Sequence, residues 1–398
     1  MIRSTTNARN SAARIHSSAL IIDTHADTPQ RFVDEGFDLA DPRNGGDLNL
    51  ATIRRGNLAA EFFSIWVDPT LYKREYARRT LELIDSVKVQ AARHPDRVCL
   101  VTSVRGIEDA HRSHRLAALM GIEGGHSIEN SLPLLRQYYD LGVRYMTLTW
   151  SNSNDWADSS GSVEVRAFPH VRRGLTKFGE DVVREMNRLG MMIDISHVSD
   201  RAFYRAMATS AAPVIASHSC ARALCDHHRN MTDDMLRAVA RSGGSRSRGG
   251  VVQVNFFSGF VSQEYRNAQL ALGPRIERAV TAAHRRARGR GREFLHGEEA
   301  KIRHRFMSRI PRPPLSALID HIDHIAEVAG VGHVGLGSDF DGVSGQLPAG
   351  LSSPADLPKI TRALLERGYS ARDCHRILGG NFLRVFRDVE RVARRLAA

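Results

Sequence analysis

The sequence predicts an α/β fold, a closed (β/α)8 barrel of the TIM type, and three observations carry the prediction. Eight short β-rich runs are separated, for the most part, by helical patterns over 398 residues, the alternation that lays down a parallel sheet with helices outside it. Most of the runs end in a histidine or a carboxylate, and in a barrel the C-terminal strand ends form the rim where active sites are built. Those polar ends are spread over the whole set of runs, whereas a doubly wound sheet, the runner-up, would collect its site at one switch point.

The first run, Ala19 to Asp27, is apolar as far as His25-Ala26-Asp27. An extended strand turns residues i and i+2 to one face, so His25 and Asp27 leave it side by side. The second run is Leu58 to Val67, after which Tyr76, Thr80, Leu83, Ile84 and Val87 recur at helical spacing. Leu116 to Glu123 is broken by Gly124-Gly125, and Val143 to Trp150 opens into a polar loop, Ser151 to Ser162. A helix bearing Val182, Val183, Met186 and Leu189 stops at Gly190 and feeds Met191 to His197. Pro213 to His218 follows, and Thr232 has the look of an N-cap, with Asp233 and Asp234 in the first turn of the helix it starts. After Gly249-Gly250 come the run Val251 to Phe257 and a long irregular stretch. An amphipathic helix then places Leu318, Ile319, Ile322, Ile325, Ala326 and Ala329 on one face, with Gly330 behind it. Val334 to Asp339 is the eighth run. Two closing helices follow, one capped by Ser370 and the other by Asn381, the latter burying Phe382, Val385, Phe386 and Val389.

A hydrophobic content of 42% and a charged content of 25% are ordinary for a soluble globular chain, and no apolar run approaches the roughly 18 residues of a membrane span. Met1 to Ser18 is polar, carries Arg3, Arg9 and Arg14, and lacks the apolar core of a secretory signal; residues 1–18 are therefore expected to be a flexible leader of a cytoplasmic protein, with 19–398 a single catalytic barrel. Four cysteines, Cys99, Cys220, Cys225 and Cys374, make no disulfide framework and no C-x-x-C pair, so free thiols in a reducing compartment are expected. The net charge of +12 is concentrated between Arg285 and Arg312, where ten Lys/Arg face three Asp/Glu. Without interleaved aromatics or a recognition fold, this insertion around 285–313 is expected to be a solvated surface loop, and no specific nucleic-acid partner is expected.

Glu123 and Asp339 close apolar strands, and a carboxylate there is costly to bury unless something pairs with it. His197 in Ile-Ser-His and His218 in Ala-Ser-His, taken singly, also fit as rim histidines held by ordinary hydrogen bonds. Together with His25 and Asp27 they make three histidines and three carboxylates, more than a single zinc takes from protein, which suggests two metal ions sharing a carboxylate. Two divalent ions about 3.5–4 Å apart would hold a water between them, lower its pKa toward 7 and polarise a substrate carbonyl. An aspartate just beyond the metals suits the transfer of the water's proton to a leaving nitrogen. A serine triad is discounted because no G-x-S-x-G elbow occurs and the Ser-His pairs are sequence neighbours.

In order along the chain, Asp23-Thr24-His25-Ala26-Asp27, Gly121-Ile122-Glu123-Gly124-Gly125-His126, Arg144-Tyr145-Met146-Thr147-Leu148-Thr149, Ile195-Ser196-His197, Ser217-His218-Ser219, Arg229-Asn230, Gly337-Ser338-Asp339-Phe340-Asp341-Gly342 and Gly379-Gly380-Asn381-Phe382-Leu383-Arg384-Val385 resemble the motif series of the membrane dipeptidase (renal dipeptidase) family. This is peptidase family M19, among the amidohydrolase-like barrels, and the resemblance runs from about Ile21 to Phe386. It implies two Zn2+ per chain, one held by His25 and Asp27, the other by His197 and His218, with Glu123 bridging them. It likewise implies Asp339 as proton shuttle and Arg229 as the clamp for the substrate's C-terminal carboxylate, a task suited to a bidentate guanidinium. Members cleave dipeptides, often with a D-residue at the C-terminal position, and some open β-lactam rings.

One residue departs from the series. Where many members have a histidine that contacts the scissile carbonyl, this chain has Trp150, whose indole N–H can donate but cannot take up a proton. An altered substrate preference is the expected consequence. The resemblance thus implies a zinc-dependent dipeptidase acting on small dipeptides. Two rivals stand beside it: an amidohydrolase for another small amide or N-acyl amino acid, and a catalytically weakened barrel with a binding role. Members often dimerise, which leaves room for a homodimer, although no exposed seam in the sequence argues for one.

Overall fold

The computed structural model describes residues 11–161, 174–244, 247–292, 294 and 296–398. Within them β1 (Ile21–Ala26), β2 (Leu58–Trp66), β3 (Val98–Leu100), β4 (Leu116–Glu123), β5 (Val143–Thr147), β6 (Met192–Asp194), β7 (Ile215–Ala216), β8 (Val251–Val254) and β9 (Val334–Leu336) form one parallel sheet. Its order, β1-β2-β4-β5-β6-β7-β8-β9, follows the chain, as in a right-handed succession of strand and helix units. All eight expected runs are strands. The ninth, Val98–Leu100, pairs only with β4 outside the barrel path, and three residues are too few to show a period in sequence.

The circle closes between β1 and β9 without a full ladder. Ala26 and Phe340 form an isolated parallel bridge, Asp27 N donates to the Phe340 carbonyl at 2.8 Å, and Asp339 N donates to that of His25 at 3.0 Å. Asp23 staples the same seam, its Oδ1 accepting from Ser338 N at 2.7 Å. Inside, Ile22, Phe62, Leu119, Tyr145, Ile215 and Val251 pack together with Phe382 and Phe386, so the closing helix plugs the N-terminal end of the barrel. Gly121 is required there, because a Cβ would sit 1.9 Å from the Tyr145 ring.

The expected helix signals hold where local chemistry dominates. Thr232 Oγ1 accepts from Met235 N, Gly190 ends Lys177–Leu189 in the left-handed region at φ 85°, and Leu318, Ile319, Ile322 and Ile325 are buried along Leu315–Ala329. Among the described residues no helix is long and apolar enough to cross a membrane, and the four cysteines are free.

Three expectations are corrected. Residues 11–18 are helical, with Ala12, Ile15 and His16 buried, so the chain is ordered well before Ala19; His16 is held by Thr361 and the Gly56 carbonyl. Residues 1–10 of the expected leader lie outside the described residues. Asn381 does not cap its helix, because the turn Arg376–Gly380 continues, across a kink at Gly379, into Asn381–Ala397 with Gly380 and Asn381 already helical; its side chain ties instead to the carbonyls of Val331 (2.7 Å) and Val334 (2.9 Å).

The third correction concerns the basic insertion. It is part of two helices, Gln263–Gly289 and His296–Met307, rather than an irregular loop. Arginine is a good helix former, and between the arginines stand Ile276, Val280 and Ala287, which join Tyr265, Phe294, Met307 and Ile310 in a small core of their own. Some of the charges are countered on the spot, Arg303 by Glu277 (2.9 Å) and Glu299 (2.7 Å), Arg292 by Glu298 (2.6 Å).

Candidate metal centre

The strand ends bring the polar residues of distant sequence segments to one point on the C-terminal rim. Glu123, at the end of β4, is the hub: its Oε2 lies 3.3 Å from His25 Nε2, and its Oε1 lies 2.8 Å from His197 Nε2 and 3.4 Å from His218 Nε2. Asp27 Oδ2 is 3.8 Å from His25 Nε2, and the two imidazoles of His197 and His218 approach to 3.0 Å. Two overlapping groups of ligand atoms lie within 4.8 Å of one another, His25 with Glu123 and His218, and His25 with Asp27 and Asp339.

Neighbouring hydrogen bonds turn the imidazoles of His25 and His218 so that Nε2 faces this centre, whereas His197 Nδ1 is buried without a partner. Tyr145 Oη donates to the Thr24 carbonyl at 3.0 Å, so it accepts from His25 Nδ1 at 3.0 Å and the Nδ1–H tautomer is fixed. Ser217 Oγ donates to Asp194 Oδ2 at 2.6 Å and accepts from His218 Nδ1 at 2.7 Å, with the same result. Carboxylate or hydroxyl partners on the remote nitrogen are what a metal-ligating histidine ordinarily has. His197 and Asp339 hold left-handed backbone, φ 68° and 65°, which costs a non-glycine residue of order 1–3 kcal/mol and is sustained at functional sites by the surrounding structure.

The buried charges of the centre shift one another in opposite directions. Burial disfavours a charged His25, yet Glu123, Asp27 and Asp339 outweigh it and push its pKa up to about 10. Burial and the Glu123 charge drive Asp27 well above the carboxylate range, and burial raises Asp339 despite His25 and Asn255. Burial opposes the Glu123 charge too, but His25, His197 and His218 hold this carboxyl well below its ordinary value. Burial and Arg229 push His197 down to about 3, and burial and His25 hold His218 well below 6.5.

A cavity of about 590 Å³ opens over the centre, walled by Trp66, Trp150 and Phe260 with Arg229 and Asp339 at its base. Arg229 is buried, its Nη2 donating to the His218 carbonyl at 3.1 Å and its Nη1 to Ser219 Oγ at 3.4 Å, while Nε has no partner. Asn255 Nδ2 donates to Asp339 Oδ2 at 2.8 Å. Glu298 and Lys301, from the second helix of the basic insertion, line the outer end.

A sequence profile for Membrane dipeptidase (Peptidase family M19) matches residues 9–398. The chain belongs to this family. Dipeptidase 3 of Mus musculus is 35% identical over 347 residues, 87% of this chain and 59% of that protein. Dipeptidase 3 of Homo sapiens is 34% identical over 393 residues, 98% of this chain and 69% of that one. The chain therefore spans 59% of the length of the mouse relative. The crystal structure of the probable dipeptidase PvdM from Pseudomonas aeruginosa superposes with a TM-score of 0.82 at 25% identity, covering 98% of this chain and 100% of that one. Membership of a metallopeptidase family implies a metal cofactor.

All eight residues singled out from the sequence meet in this M19 barrel: His25, Asp27, Glu123, His197, His218 and Asp339 around the centre, Arg229 and Trp150 on the cavity wall. Trp150 packs 4.9 Å from the Trp66 ring and 6.4 Å from that of His197. Sequence reasoning did not assign the supports Tyr145, Asp194, Ser217 and Asn255. For Asp194 a signal existed, since a carboxylate inside Met-Met-Ile-Asp-Ile poses the same burial problem as Glu123; for Glu298 and Lys301, inside a charge-rich run, none did.

Proposed function

We propose that this chain is a zinc-dependent dipeptidase in which His25 and Asp27 hold one ion, His197 and His218 the other, and Glu123 both. The observation that carries the reading is the Glu123 carboxylate set among three imidazole Nε2 atoms. The donors fit such ions: His25 Nε2 and Asp27 Oδ1 are buried without a hydrogen-bond partner, the carboxylates around His25 call for positive charge, and imidazole with carboxylate is a donor set that suits zinc. When bound, the ions polarise the scissile carbonyl and ease ionisation of water near neutral pH.

The chain's own residues do the rest. Arg229 binds the free C-terminal carboxylate of the dipeptide, drawing on guanidinium hydrogens that His218 and Ser219 leave unused. Asp339, held through Oδ2 by Asn255, takes a proton from the attacking water on Oδ1 and returns it to the leaving amine. Trp66, Trp150 and Phe260 exclude bulk water from the reacting bond. Trp150 cannot exchange a proton, so it narrows the pocket and selects side chains without replacing the histidine of other members in any acid–base role.

A second reading, hydrolysis of N-acyl amino acids, rests on Arg229, which rewards any substrate with a free carboxylate. Purified protein tested with L,L- and L,D-dipeptides beside N-acyl amino acids, with its metal content measured, separates the two. Close to two zinc ions per chain and faster turnover of dipeptides are expected, with activity lost to a chelator and restored by zinc. Full activity in a metal-free preparation would sink the proposal, and faster turnover of N-acyl amino acids would replace it by the second reading.

A further inference from the structure

The N-terminal face of a barrel ordinarily serves stability, yet here it carries a groove of about 1220 Å³. Three distant stretches line it: the helix Val104–Arg112, the residues leading into β8 and β9, and the closing segment from Arg372 to Arg394. Eight of the lining residues are arginines and three are carboxylates, Glu108, Asp388 and Glu390, an excess of five positive charges.

The carboxylates are already engaged. Glu108 pairs with Arg387, Asp388 with Arg391, and Glu390 Oε1 accepts from Val104 N at 3.1 Å. Among the described residues Arg248, Arg372, Arg384 and Arg394 form no ion pair. Arg384 is fixed at the floor by neutral acceptors alone, the carbonyls of Arg248 (3.1 Å), Gly249 (2.6 Å), Gly250 (3.3 Å) and Gly332 (2.8 Å). Burial and the neighbouring Arg248 charge push its pKa down to about 10, a sign of how poorly that charge is countered.

Four uncompensated guanidiniums in one concavity repel one another, and a ligand of matching negative charge relieves the repulsion. Guanidinium forks match the paired oxygens of phosphate groups. Among the described residues no Phe, Tyr or Trp lines the groove and its rings are the imidazoles of His333 and His375, so the guanidiniums dominate the lining and recognition falls chiefly on the phosphates. A single phosphate would leave most of the positive charge unmet, whereas a linked pair or triplet would spread over it.

We propose that this groove binds a short polyphosphate chain, free or as the 5′ tail of a nucleotide, through Arg248, Arg372 and Arg394 with Arg384 as the fixed cation at its floor. The site is independent of the rim chemistry, which lies at the opposite end of the barrel.

The test is calorimetry and thermal unfolding of the full chain with sodium tripolyphosphate, ATP, adenosine and sulfate at one ionic strength. Tripolyphosphate and ATP are expected to bind saturably and raise Tm, and adenosine to do neither. Equal binding of the first two locates recognition in the phosphates alone, and tighter binding of ATP adds a contact to the nucleoside. Arg372 and Arg394 are exposed, so the double variant R372E/R394E is expected to fold, to bind both ligands more than about tenfold more weakly, and to leave the hydrolysis at the rim unchanged. The idea is overturned by an absence of saturable binding, by an equal rise in Tm with sulfate, by undiminished binding in the double variant, or by retention of a polynucleotide while tripolyphosphate is inert.

Discussion

At the C-terminal rim three carboxylates and three imidazoles interlock in a walled cavity, whereas at the N-terminal face eight arginines share an open groove with three carboxylates. The rim draws its charged groups from the C-terminal ends of β1, β4, β6, β7 and β9. The opposite face draws its arginines from a helix after β3, a turn before β8 and the whole length of the closing segment from Arg372 to Arg394. One end of the barrel pairs opposite charges until they are held by mutual hydrogen bonds; the other collects like charges and leaves four of them unmatched. The packed lumen of Phe62, Tyr145 and Phe382 lies between the two.

The largest effect that would sharpen this contrast is at the hub of the rim. Glu123→Ala should remove metal retention, measured by elemental analysis, and lower dipeptide turnover by at least about a thousandfold, since in the proposed centre both ions would lose a shared ligand; retained metal with retained turnover would break the assignment.

Next comes the scaffold under the rim. His321 Nδ1 accepts from Ala221 N at 3.0 Å and its Nε2 lies 3.2 Å from the Val261 carbonyl, so the folded imidazole is neutral, and burial, aided by His324, lowers its pKa to about 4. The unfolded chain takes up this proton near 6.5 and the folded chain only near 4, so stability falls as pH drops through that window and levels off below it. The loss amounts to about 3 kcal/mol. In His321→Gln, urea unfolding at pH 6.5 and at pH 4.5 should show a clearly smaller difference than in the parent chain.

Arg229→Met comes third, with kcat/KM for free dipeptides down by about a hundredfold and C-terminally amidated dipeptides nearly unaffected. Equal losses on both substrates would mean that Arg229 shapes the pocket without gripping the carboxylate. The smallest effect belongs to the other face: Arg394→Glu alone should change kcat and KM by less than about twofold, and a larger change would show that the two ends of the barrel are coupled after all.

The rim was legible in sequence because its residues obey a local rule. His25 and Asp27 follow from strand alternation, and Glu123 and Asp339 from the cost of ending an apolar strand in a carboxylate. The supports were less legible, since Tyr145 and Ser217 act by holding another side chain's nitrogen, which no spacing reveals. Charge was the least legible. Counting along the chain located the excess between Arg285 and Arg312, yet there the helices bring Glu277, Glu298 and Glu299 onto Arg292 and Arg303. Arg248, Arg372 and Arg394 stand apart in sequence and converge only when the closing helices dock. Helical order in the insertion escaped notice for a related reason, because Ile276 and Val280 are sparse apolar points in a run dominated by arginine.

The seam where the barrel closes has a consequence of its own. β1 and β9 meet through one bridge and a few bonds around Asp23, Ala26, Asp339 and Phe340, a slender join compared with the seven-pair ladder of β2 and β4. His25 and Asp27 stand on one lip of this join and Asp339 on the other. Anything that His25, Asp27 and Asp339 grasp together acts as a cross-link between the first and last strands, closing a loop that spans most of the chain and removing that freedom from the opened state. Loading the centre and locking the barrel shut are then a single event, and amide exchange along the seam should slow as the centre fills.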